Sequence, residues 1–174
     1  DEGEGPFPVL VVVHGGAWKF RFKLADNIAA LFQAASQGYA VASVGYRLSS
    51  HAKWPAQVND VKAAIRYLRN HAEEYHLDPT CVIVCGNSSG GHIAQTVAAT
   101  NDDIDFEDCL LGDCGDSSVQ GCFSMYGVSD IYVCEHQTGH RDDGDNPMSP
   151  PDQLMGFCIV AEPEERCEMA SSVK

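Results

Sequence analysis

The sequence predicts an α/β protein, built on a mostly parallel, doubly wound sheet with helices on both faces. Three observations carry that expectation. Short apolar runs at residues 9–13, 40–46, 81–85 and 119–126 alternate with stretches of helical periodicity, and such alternation builds βαβ units around a parallel sheet. The first run, VLVVV, is wholly apolar and mostly β-branched, as a strand covered on both faces must be. HGGAW, RLSS, GNSSGG and GVSD each follow one of these runs. Right-handed crossovers would gather all four at the C-terminal edge of the sheet, where such folds keep their sites.

The elements follow in order. A strand at 9–13 leads into the glycine-rich HGGAW. From about Leu24 to Ser36, the residues Ile28, Leu31, Phe32 and Ala35 recur at helical spacing, and Gly38 is placed to cap that helix. A second strand occupies 40–46. Pro55 opens the next helix at its first turn; Val58, Val61, Ile65 and Leu68 form its apolar stripe, with Lys62, Arg66 and Arg69 on other faces. That helix must end before Asp78-Pro79, because the residue ahead of a proline is driven out of helical geometry. The third strand is 81–85, and a small-residue helix runs from Gly90 to about Ala99. An acidic loop at 101–116 precedes the fourth strand at 119–126. After Ile131 the pattern weakens: EHQTGHRDDGDNPMSPP reads as loop, Ser149 with two prolines starts a short helix near 152–157, and PEERCEMASSV suggests another.

Bulk properties narrow the function. The 174 residues suffice for one domain, and 44% hydrophobic with 21% charged residues is ordinary for a globular chain. A net charge of −14 argues against nucleic acid and anionic lipid as partners, since both need a basic surface. No apolar stretch approaches the roughly 20 residues of a membrane span. The chain starts at Asp1 without a basic, signal-like leader, which favours the cytoplasm but also suggests the interior of a longer protein. Of eight cysteines, Cys81, Cys85 and Cys122 sit in core-like strand positions, so structural free thiols are expected. Cys109 and Cys114 are the pair to bridge if any does. No cysteine or histidine spacing suggests zinc, no cofactor is called for, and the acidic loop lacks the glycine and terminal glutamate of a calcium loop, so it reads as solvated.

Gly86-Asn87-Ser88-Ser89-Gly90 fits G-x-S-x-G in one register, with Ser88 at its centre. A serine on a sharp strand-to-helix turn needs small residues two places before and after it, where any Cβ would collide across the turn. The competing reading, a phosphate loop at a helix N-terminus, lacks the lysine of a P-loop and the spacing of a dinucleotide fingerprint. His14-Gly15-Gly16-Ala17-Trp18 adds to the first reading. Acyl transfer builds negative charge on a carbonyl oxygen, and glycines let backbone N–H groups approach it closely. The Ser89 N–H, at the positive end of its helix, would be a further donor. His14 is expected to order this loop. Trp18, Tyr46 and Trp54 fit either a substrate pocket or the core.

These motifs recur in a familiar order. HGGAW at 14–18, GYRLS at 45–49, WPAQVNDVKAAIRYLRNHAEEY at 54–75, DP at 78–79, GNSSGGHIA at 86–94, VQGCFSMYGVSD at 119–130 and SPPDQLMG at 149–156 together cover nearly the whole chain. In them the chain resembles α/β-hydrolase carboxylesterases of the hormone-sensitive-lipase-like group, nearest to bifunctional feruloyl and acetyl-xylan esterases. The resemblance implies a serine carboxylesterase acting on a small-molecule ester. It makes Ser88 the nucleophile, Gly15, Gly16, Ala17 and Ser89 the oxyanion-hole residues, and His14, Gly86 and Gly90 their support. It also implies that residues 1–174 are a single partial domain, with the sheet core at 1–133 and a loop and helical segment at 134–174. The family's first and last strands are then expected to be missing, together with the late acid and histidine of its triad, which would leave the chain inactive as given.

The sequence offers local substitutes for those two groups. Asp130, His136 and His140 follow Ser88 in a permitted order, although Asp130 reads more simply as a helix cap and the histidines as solvated residues. His92, four residues after Ser88, should point into packing. The alternative from another functional class is a non-catalytic hydrolase-like module that holds a small ligand.

Overall fold

The computed structural model describes residues 4–20, 31, 33–101, 103–108, 115–138 and 149–172. Four strands form one parallel sheet: β1 (Phe7–Val13), β2 (Ala40–Val44), β3 (Leu77–Asn87) and β4 (Gly121–Met125), in the spatial order β2-β1-β3-β4. Helix α1 (Ala56–Asn70) joins β2 to β3, and α2 (Ser89–Ala99) joins β3 to β4. Two further helices follow, α3 (Ile131–Thr138) and α4 (Pro150–Met155). Short 3-10 turns complete the described elements at Gln33–Gln37, Ile104–Phe106, Ile159–Ala161 and Glu164–Ala170. The α/β class expected from the alternation is what the structure has.

Alternation along β1 explains why both sheet faces are covered. Val9, Val11 and Val13 point into the main core with Val82 and Val84 of β3, while Val12 and Cys85 face the other way with Leu10, Leu31 and Val41. Val58, Val61 and Ile65 of α1 are fully buried on the first face, each contributing about 1.5–3 kcal/mol. The chain leaves β1 toward β2 on one side and leaves β3 toward β4 on the other. The connections therefore diverge between β1 and β3, which opens a crevice at their C-terminal ends.

Several boundaries differ from expectation. β3 begins at Leu77, four residues early, because Leu77 pairs with Phe7 beyond a register shift in β1. Residues 131–138 form α3 where loop was expected from residue 135 on; Asp130 caps it, its Oδ1 accepting the Val133 N–H at 3.0 Å. The helix expected near 152–157 is α4, which starts two residues earlier on a capping box between Ser149 and Asp152. The helix expected at about 24–36 falls mostly outside the described residues, and its end at Gln33–Gln37 is a 3-10 turn followed by left-handed Gly38. Cys122, expected in the core, is exposed on β4, at the edge of the described sheet. The described cysteines are free thiols, and burial pushes that of Cys85 up to about 12; Cys109 and Cys114 lie outside the described residues.

The acidic loop is not wholly solvated. Lys62 and Arg66, expected off the apolar stripe of α1, are buried, and both meet the Glu107 carboxylate, at 3.0 Å from Lys62 Nζ. Lys62 also donates to the Thr100 carbonyl, and Ser117 Oγ donates to Glu107. One carboxylate thus holds two buried cations. Removing it strands both charges, so Glu107→Ala should lower the unfolding free energy by about 3–5 kcal/mol in a urea titration.

Candidate active site

Ser88 sits where β3 turns into α2, with φ 52° and ψ −123°. A non-glycine residue there stores roughly 1–3 kcal/mol of strain, which persists only where the surroundings enforce it. They do so here from both sides. The Ser88 N–H donates to the Met125 carbonyl of β4 at 2.9 Å, and its carbonyl accepts the His92 N–H at 3.0 Å. A Cβ on Gly86 would stand 2.8 Å from the Val13 oxygen, and one on Gly90 would stand 2.5 Å from the His14 oxygen. Only glycine at both positions lets the turn close against the end of β1. The Ser88 side chain is half-buried and makes no capping hydrogen bond to α2.

The loop after β1 is held peptide by peptide. Tyr46 Oη donates to the His14 carbonyl at 3.0 Å, and the Gly15 N–H on the other end of that peptide donates to Asn87 Oδ1 at 3.0 Å. His14 Nδ1 lies 2.7 Å from the Gly15 carbonyl, which can only accept, so Nδ1 carries the proton. The Gly16 carbonyl accepts the N–H groups of Lys19 and Phe20, both at 3.0 Å. A trans peptide points its N–H opposite its C=O, so Gly16 and Ala17 turn their N–H groups away from these anchors. Neither N–H has a hydrogen-bond partner among the described residues. Gly16, Ala17 and Trp18 all have positive φ, at 132°, 51° and 56°, a run of strained backbone typical of functional loops. The Ser89 N–H opens α2, at the end where helix N–H groups lack intrahelical acceptors. Gly15, expected among the oxyanion donors, has its N–H committed to Asn87 instead.

Two of the three aromatic residues belong to the core, and Trp54 packs against it. Trp18 and Tyr46 are buried, and Tyr46 stacks on His14 with centroids 4.5 Å apart. Burial drives the Tyr46 hydroxyl up to about 12, against a smaller downward pull from its contact with Ser89. Trp54 packs on His92 and donates from Nε1 to the Met169 carbonyl at 2.9 Å. His92 is wholly buried between Trp18 and Trp54, with Nε2 donating to the Ala170 carbonyl at 2.8 Å. It is a packing residue, as its place on the helix suggested.

Of the local substitutes for a base and an acid, the two that are described have other partners. Asp130 caps α3, and His136 is exposed on that helix, its Nδ1 2.9 Å from the Tyr132 carbonyl. Neither hydrogen-bonds Ser88. His140 lies outside the described residues. Among the described residues no cluster of His, Cys, Asp and Glu could hold a metal ion, and no helix is long and apolar enough to cross a membrane. A cavity of about 480 Å³ lined by Phe7, Tyr39, Tyr75 and His76 opens where β1 and β2 begin, at the far end of the sheet from Ser88. Asn87 is not among the residues expected at the site; its signal in the sequence is its place between Gly86 and Ser88, at the end of the strand that precedes the serine turn.

The BD-FAE family model matches residues 1–174. Among curated proteins, the esterase LipC of Mycobacterium tuberculosis is 34% identical over 125 residues, covering 72% of this chain and 31% of that protein. This chain thus spans about a third of the length of such relatives. Among solved structures, a bifunctional GH43-CE protein of Bacteroides eggerthii superimposes with a TM-score of 0.82 at 29% identity, over 99% of this chain and 25% of the other. A bacterial heroin esterase does so at 0.68 and 28% identity, over 98% and 53%.

Burial holds the His92 ring at about 4, against an ordinary 6.5, and its bond to Ala170 pulls the other way only in part. A depressed histidine stays neutral when folded but binds a proton when unfolded. Its burial therefore costs nothing above about pH 6.5 and destabilises increasingly as pH falls toward 4. The urea midpoint should drop between pH 7 and 4.5, and His92→Gln should flatten that drop.

Proposed function

We propose that this chain, which belongs to the BD-FAE family, carries the nucleophile and oxyanion loop of a serine carboxylesterase that hydrolyses small carboxylic esters. The observation that carries the reading is the strained Ser88 backbone, enforced by glycines at 86 and 90 against the end of β1. A binding module has no need of that strain. Similarity to proteins described as esterases supports the same reaction class.

In this reading Ser88 Oγ attacks the ester carbonyl carbon while its proton passes to a general base. The carbonyl oxygen becomes an oxyanion, received by the N–H groups of Gly16, Ala17 and Ser89. Collapse of the tetrahedral intermediate breaks the ester C–O bond, and the alcohol leaves with the proton returned by the base. Water then repeats the sequence on the acyl-enzyme and frees the acid. The base is the histidine that the resemblance places after the nucleophile, oriented by its carboxylate. Among the described residues, no histidine side chain hydrogen-bonds the Ser88 hydroxyl. A chain in which no such pair reaches Ser88 should retain only the weak catalysis of an oxyanion hole.

The test is p-nitrophenyl acetate hydrolysis by the full-length protein. Ser88→Ala should lower kcat by about 10⁴-fold or more while leaving the fold intact by circular dichroism. An unchanged rate in that variant would refute the assignment.

A further inference from the structure

We infer that Asn87 is a positioning residue for this reaction, fixing the orientation of the oxyanion loop through the Gly15 N–H. The inference rests on the function proposed above and adds a residue outside the nucleophile and the donors.

Asn87 is the last residue of β3 and is 3% exposed. Its side chain joins three strand ends. Oδ1 accepts the Gly15 N–H at 3.0 Å, and Nδ2 donates to Tyr126 Oη, just past β4, at 3.2 Å. The amide orientation is set by chemistry: a backbone N–H can only donate, so the atom facing it must be the oxygen. Gly15 is a glycine for the same reason, since a Cβ there would lie 2.9 Å from the Asn87 carbonyl and 3.0 Å from Nδ2.

The consequence concerns the next peptides. The 14–15 peptide is pinned at both ends, by Tyr46 on its carbonyl and Asn87 on its N–H. Rotation about its long axis would break both bonds and carry the following peptide with it. That following peptide bears the Gly16 N–H, and Ala17 comes next. Both sit at positive φ, where the backbone holds its direction only under constraint. Preorganised donors stabilise an oxyanion because they need not reorient as charge develops. Asn87 supplies that preorganisation without touching substrate. Tyr126 in turn holds the Asn87 amide, and does so from a strained backbone of its own, at φ 44°.

The experiment compares variants of the full-length protein on p-nitrophenyl acetate, alongside inhibition by a trifluoromethyl ketone whose serine adduct places an oxyanion in the hole. Asn87→Ala should lower kcat by about 10- to 100-fold, less than outright loss of a donor, with KM changed less than about threefold. Ketone affinity should fall in parallel with kcat/KM. Asn87→Asp keeps the acceptor for Gly15 and should recover most of the loss. Asn87→Ser, a smaller change in packing that still cannot reach Gly15, should behave like the alanine variant and serves if that one fails to fold. A folded Asn87→Ala or Asn87→Ser protein with kcat within twofold of wild type would overturn the inference. If Ser88→Ala kills activity in the same assay, the site reading stands and only the role of Asn87 falls; if Ser88→Ala stays active, both fall.

Discussion

The contact on which the rest of this structure depends is the backbone-to-backbone approach of the serine turn to the end of β1. Gly86 and Gly90 lie against the Val13 and His14 carbonyls, close enough that a methyl group at either would collide with backbone. Backbone cannot move aside as a flexible side chain can, so this approach fixes where Ser88 stands relative to the HGG loop. It also requires β1 and β3 to be neighbours, and the observed order β2-β1-β3-β4 makes them so. The strain at Ser88 is the local cost of the arrangement, and hydrogen bonds to Met125 and His92 hold it in place.

From that contact the site is assembled in layers. Tyr46 and Asn87 hold the 14–15 peptide of the loop and His14 the next, and Trp18 anchors its far end in the core, where its carbonyl accepts the Ser49 N–H at 2.9 Å. Behind them, His92 and Trp54 tie α2 and the start of α1 to the segment Glu164–Ala170. A buried neutral histidine serves there because its one donor meets the Ala170 carbonyl while its ring fills the space between two indoles. The HGG loop and the serine turn therefore rest on packed, hydrogen-bonded elements, which is what preorganised chemistry requires.

Much of this was legible in the sequence, for reasons that are local. The apolar run at 9–13, the stripe Val58, Val61 and Ile65, and the glycines around Ser88 each declare their geometry within a few residues. What was not legible depends on distant partners. Lys62 and Arg66 look like solvated charges until Glu107, some forty residues on, folds over them. Gly15 looks like an oxyanion donor until Asn87, 72 residues away, takes its N–H. Helix α3 was read as loop beyond residue 134 because IYVCEHQT has no clean apolar stripe; its start depends on the Asp130 cap.

The proposed chemistry requires the turn at residues 86–90 to aim the side chain of Ser88, and not that of its neighbour Ser89, at an electrophile. The most direct measurement is mass-spectrometric mapping of a fluorophosphonate adduct on the full-length protein. One phosphonylated residue is expected, Ser88, with labelling abolished in Ser88→Ala and retained in Ser89→Ala. Phosphonylation of Ser89, or of no serine in the 86–90 turn, would contradict it.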